Sequence, residues 1–152
     1  MNVVVALDKG VRSIGRNEHG HESVFDTSVK GGGFASAPSP VEHMLEAAGA
    51  CMIMDIVPML QKRKKNVIGM SVELTGSRRE EHPRIFTSVH MNIRLTSPDV
   101  TKEELDMCIA LSDEKYCTIT NTLKLAGASV TYDSQINAEP GLSQAELAST
   151  PV

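Results

Sequence analysis

The chain has 152 residues, enough for one domain of ordinary size, and with 41% hydrophobic and 22% charged residues its composition is that of a globular protein. A net charge of −4 argues against nucleic-acid binding, which needs a basic face. Three cysteines are an odd, sparse set, unlike a secreted disulfide framework, and no basic stretch followed by an apolar leader opens the sequence, so the expected location is the cytoplasm.

The first 30 residues read as three short strands, VVVALD, GVRSIG and HESVFDTSV, separated by Gly10 and the NEHGH turn. KGGGFASAPSP (30–40) is a loop. A helix then starts, with Ser39 as N-cap, Pro40 in the first helical position and Glu42 completing an S-x-x-E capping box. From Met44 to Leu60 nearly every position is apolar or small. A helix apolar all round must be covered on all sides, and a chain this short has few elements to do it, which points to a partner subunit. With Glu46, Asp55 and Pro58 inside it, this stretch falls short of the roughly 20 apolar residues of a membrane span. Pro58 cannot donate to the carbonyl of Met54, so a kink or a break is expected there. QKRKK then places cations where the helix dipole favours them; this cluster and the Arg78–Arg79 pair read as solvated surface.

Residues 67–80 and 84–97 form the clearest strand pattern. Ile68, Met70, Val72 and Leu74 alternate on even positions, and Ile85, Val89, Met91, Ile93 and Leu95 on odd ones, with EEHPR as the turn. A long antiparallel hairpin is implied. Thr101 and Glu104 form a second capping box, opening a helix whose Leu105, Cys108, Ile109 and Ser112 fall on one core stripe. CTITNTLKLAG is a further short helix ended by Gly127, and SVTYDSQI a closing strand. The fold class is α+β, a single domain over residues 1–136, with 137–152 a small, polar, disordered tail.

The residues able to do chemistry are few. Cys108 sits on the core stripe and is structural. Cys117 precedes a helix in the polar run EKYCTIT, where unpaired backbone N–H groups favour thiolate. Cys51 lies mid-helix, with Asp55 one turn further on the same face; an ionised Asp55 opposes a Cys51 thiolate unless a cation neutralises it. Arg12, Arg16 and Arg84 are the candidates for that cation. An Asp55 that pairs structurally with a cation is the alternative. His19 and His21 form an H-x-H without a third ligand, so no metal is expected, and His43 reads as surface. A Cys–His hydrolase needs a base beside the thiol, and no histidine is near either cysteine in sequence.

SPVEHMLEAAGAC (39–51), followed far downstream by SDEKYCTITNTL (112–123), resembles the OsmC/Ohr family of thiol peroxidases: a proline-led, small-residue helix carrying one cysteine, then K-Y-C opening a later segment. The likeness covers residues 1–136. It implies an OsmC-like fold in an intertwined homodimer, with central buried helices wrapped by antiparallel sheets and active sites at the subunit interface. It further implies that Cys51 attacks a hydroperoxide and becomes a sulfenic acid, that Cys117 condenses with it to a disulfide, and that an external dithiol resets the pair without metal or organic cofactor. The family's glutamate directly after the proline is Val41 here, with Glu42 one position later and accounted for by capping. Its N-terminal activating arginine has no motif-matched counterpart, leaving Arg16 and Arg12 as candidates, with Glu42 as a candidate for orienting the site. The rival class is a dimeric binding protein for an apolar small molecule, its cysteines redox-idle or redox-sensing; a Cys–His acyl-transfer enzyme is a third.

Overall fold

Neighbouring strands joined by tight turns dominate the first part of the chain. A computed structural model describes residues 1–137, which fall into two compact units, Met1–Met44 and 45–137. Apart from Asn137, the expected disordered tail lies outside the described residues.

In the first unit, β1 (Val3–Lys9), β2 (Arg12–Asn17) and β3 (Glu22–Phe25) form an antiparallel meander in the order β1-β2-β3. Gly10, at φ +61°, makes the turn between β1 and β2 that a side chain would strain. Within its unit β1 is left open: Val3 and Val4 are each 69% exposed and Leu7 73%, so both faces of an apolar strand meet solvent.

After β3 the backbone is organised by one carboxylate. Buried Asp26 accepts from the amides of Thr27 (2.8 Å), Phe34 (3.1 Å) and Ser36 (2.9 Å) and from the Ser36 hydroxyl (2.7 Å). The Ser36 amide leads these bonds in holding the carboxyl down to about 2, against the upward push of burial. A folded value below the ordinary 3.8 means that this stabilisation is complete above that pH and is lost as pH falls through about 2. Amide protection at Phe34 and Ser36, corrected for intrinsic exchange, is expected to fall across that window. In Asp26→Asn it is expected to be weak already at pH 7; equal protection at pH 7 would contradict the assignment.

Helix α1 (Pro40–Lys62) starts as the sequence indicates. The Ser39 amide and hydroxyl both donate to Glu42 Oε2 at 2.6 Å, and the Glu42 amide donates back to Ser39 Oγ at 3.3 Å. The break allowed for at Pro58 does not occur: Pro58 is exposed and the helix runs on to Lys62. On length and composition alone α1 could cross a membrane, but Ala48, Met52, Ile56 and Leu60 form a fully buried stripe, the pattern of a core helix. Gly49 belongs to this buried side, and a Cβ there would lie 2.8 Å from Leu74 Cδ1. The opposite side is uncovered, with Met54 74% exposed.

Strands β4 (Gly69–Arg78) and β5 (Phe86–Thr96) make the expected hairpin, with Met70, Val72 and Leu74 opposite Leu95, Ile93 and Met91. Both ends depart from the alternation. Ile68 precedes β4 and is exposed, and a bulge between Ser77 and Arg78 sets Arg78 opposite Phe86, so Phe86 is buried and Ile85 is not. Helix α2 (Lys102–Leu111) carries the predicted capping box at Thr101 and Glu104 and buries Leu105, Cys108 and Ile109. Lys65 bonds Glu104 (2.9 Å) and the Asp99 carbonyl (2.7 Å), so part of the basic cluster ties the end of α1 to the start of α2.

A single π turn over Ser112–Tyr116 leads into α3 (Thr118–Leu125), and Gly127, at φ +93°, releases the chain into β6 (Ser129–Ile136). The helices carry the chain back to the end of the sheet where β5 begins, so β6 pairs parallel with β5 on the edge opposite β4, from Ser88↔Ser129 to Leu95↔Ile136. This sheet, β4-β5-β6, is therefore mixed, where the family resemblance implied antiparallel sheets.

Candidate functional site

Two elements of the second unit converge on one spot. Cys51 and Asp55 stand one turn apart on α1 and so share a face. Cys117 caps α3: it is buried, has extended backbone angles, and the Thr120 amide donates to its sulfur at 3.5 Å. The π turn places it. The Cys117 amide reaches back five residues to the Ser112 carbonyl (2.8 Å), while Asn121 Nδ2 donates to the carbonyls of Asp113 and Cys117, both at 2.9 Å. Beneath the turn, Asp113 accepts from Lys124 Nζ and the Tyr132 hydroxyl.

The outcome is compact. The sulfurs of Cys51 and Cys117 and a carboxylate oxygen of Asp55 lie within 4.8 Å of one another. Ser112 Oγ donates to Asp55 Oδ2 at 2.7 Å, fixing the carboxylate. All three cysteines are free thiols, and only Cys108 stands apart from this cluster, in the core under α2.

The electrostatics oppose a Cys51 anion. Burial first, then the bond to Cys117 and the charge of Asp55, push the thiol up to about 11; the Ile119 amide, hydrogen-bonded to the sulfur, pulls the other way. Thus the start of α3 offers one backbone N–H to each sulfur, from Ile119 to Cys51 and from Thr120 to Cys117. Among the described residues of the second unit, no cation is among the groups that shift the Cys51 thiol.

The remaining sequence candidates have local partners. Arg12 pairs with Asp8 and Arg16 with Glu22, each inside the first unit's sheet. Arg84 Nε donates to the Glu80 carbonyl in the hairpin turn. Glu42 closes the α1 capping box, and that bonding to Ser39 holds its carboxyl below the usual range. His19 and His21 have ring centroids 6.3 Å apart, with Glu18 beside His19 at 3.9 Å. His43 is not plain surface: its Nε2 lies 2.8 Å from the Val24 carbonyl and its ring meets Phe25 edge-on. Two contributors were missed from sequence. Ser112 appeared only as a stripe position, and the Ile119 amide carries no side-chain signal at all.

A family model described as OsmC-like protein matches residues 33–133, which include α1, the hairpin and both cysteine segments. Protein YhfA of Escherichia coli strain K12 is 35% identical over 138 residues, covering 91% of this chain and 99% of that one. The chain belongs to the OsmC family. Solved structures agree on the OsmC fold. An OsmC-like protein of Mycoplasma pneumoniae superposes with a TM-score of 0.75 at 15% identity, covering 89% of this chain and 95% of the other. An organic hydroperoxide resistance protein of Legionella pneumophila, described as a predicted redox protein and regulator of sulfide bond formation, gives 0.64 at 14% identity over 90% and 96%. At those identities the likeness is one of fold. Against this OsmC-family background, the α+β class and the family resemblance read from sequence both hold.

Proposed function

We propose that this OsmC-family protein is a cytoplasmic, homodimeric thiol peroxidase that reduces organic hydroperoxides. The observation that carries the proposal is the meeting of Cys51 and Cys117, remote in sequence, within 4.8 Å at the start of α3. The Cys51 thiolate attacks the outer peroxide oxygen. The O–O bond breaks, the alkoxide leaves and takes a proton, and Cys51 becomes a sulfenic acid. The Cys117 sulfur then displaces water from it, forming the disulfide, and an external dithiol returns both thiols. The Ile119 N–H at the start of α3 favours the Cys51 anion that the first step needs, and the role of offsetting the Asp55 charge is assigned to Arg12 or Arg16. Residues forming the helix and strand faces left uncovered, Met54 on α1 and Val3, Val4 and Leu7 on β1, support a second copy as their cover.

The alternative, a dimeric apolar binding protein with redox-idle thiols, is favoured by the setting of Cys51, half-buried beside the Asp55 carboxylate, which raises its thiol. Turnover separates the two. With excess dithiol, the protein is expected to consume cumene hydroperoxide catalytically and faster than hydrogen peroxide. No dithiol-dependent loss, with all three thiols still titratable, would overturn the peroxidase reading in favour of the binding one.

A further inference from the structure

Asp55 takes no part in the bonds made and broken in the thiol chemistry just described. A disulfide needs two sulfurs, and a carboxylate beside them works against the thiolate. Yet Asp55 is held there by the Ser112 hydroxyl at 2.7 Å. Two thiols and a carboxylate form a donor set that suits a borderline-soft divalent ion. The separations suit it as well. At Zn–S distances of about 2.3 Å, tetrahedral ligand atoms sit roughly 3.8 Å apart, so donors within 4.8 Å close on one ion by shifts of about half an ångström each. Cys51 and Asp55, four residues apart on one helix, present their donors in parallel. The surrounding bonds are those of a supported site: Ser112 orients the carboxylate, and the Ile119 and Thr120 amides donate to the two sulfurs. Cys51 is half-buried, leaving the fourth position open to water or a small ligand.

We infer that Cys51, Asp55 and Cys117 form a zinc-binding site that holds the redox pair reduced and silent. Binding releases two protons, one from each thiol, as two Zn–S bonds and one Zn–O bond form, and no electron moves. The ion is a reversible cap and takes no part in peroxide reduction. Zinc and the Cys51–Cys117 disulfide exclude one another, because both use the same sulfurs. This role as a cap rests on the redox reading above, whereas binding itself does not.

Cobalt provides the readout. Reduced protein titrated with Co2+ is expected to show thiolate-to-cobalt charge-transfer absorption saturating at one ion per chain and abolished by one equivalent of Zn2+. Cys51→Ser and Cys117→Ser each weaken or shift the band, Asp55→Asn weakens zinc binding by about tenfold or more, and Cys108→Ala leaves both unchanged. In the unmutated protein, one equivalent of Zn2+ protects Cys51 and Cys117 from alkylation. No charge-transfer band, an unchanged affinity in folded Asp55→Asn, or loss of the band in Cys108→Ala would overturn the site. Cobalt absorption without peroxide turnover overturns the peroxidase reading and leaves the metal site. Turnover that Zn2+ does not slow, with no cobalt band, does the reverse.

Discussion

Cys51→Ser is expected to abolish dithiol-dependent reduction of cumene hydroperoxide, a loss on the order of 1,000-fold or more, because the atom that accepts oxygen is gone. Cys117→Ser should behave differently. Its Cys51 still reacts with one equivalent of hydroperoxide, but the sulfenic acid has no neighbouring thiol to displace water, since the third cysteine, Cys108, is buried on α2 and is not in the cluster. The expected product is a trapped sulfenic acid at Cys51, which dimedone labels, with turnover in dithiol falling by about tenfold or more. An intramolecular disulfide in Cys117→Ser would contradict the assignment of Cys117 as the resolving thiol.

Loss of an arginine should be the second large effect. Asp55 sits in the cluster and its charge adds to burial and Cys117 in resisting a Cys51 anion, with the Ile119 amide as the opposing influence from the second unit. With burial and these neighbours pushing it up to about 11, the Cys51 thiol is held protonated at pH 7. A neighbouring guanidinium typically lowers such a value by about 1–3 units. Of Arg12→Ala and Arg16→Ala, the one that removes the activating cation should therefore cost about 10- to 1,000-fold in the rate of Cys51 oxidation at pH 7. The deficit should narrow as pH rises, since hydroxide then does the work of the arginine. Oxidation rates unchanged in both variants across that range would exclude both as activators. Circular dichroism controls for the pairing each arginine makes with Asp8 or Glu22.

The frame was readable because local chemistry and packing agree. Ser39 with Glu42 and Thr101 with Glu104 make the capping boxes their spacing suggests, and the period-two pattern of Met70–Leu74 and Val89–Leu95 is the register observed. The sequence pattern failed where one residue shifts a phase. A bulge at Ser77/Arg78 exchanges Ile85 for Phe86, and nothing in the residue types announces it. The parallel pairing of β6 was hidden for another reason: it follows from where α2, the π turn and α3 return the chain, a property of the path rather than of SVTYDSQI. At the site, two sulfurs 66 positions apart became a pair only through resemblance, since no local rule links α1 to the start of α3. Ser112 was visible as a buried stripe position, but its bond to Asp55 depends on the π turn that ends α2. The Ile119 amide was invisible, because every residue but proline has one.

The most direct test is a mass measurement on the reduced protein after one equivalent of cumene hydroperoxide, followed by peptide mapping without reductant. The expected product is a chain lighter by two hydrogens, with Cys51 joined to Cys117 and Cys108 still a thiol, and dithiol should restore the starting mass. Three intact thiols, or a disulfide that includes Cys108, would contradict it.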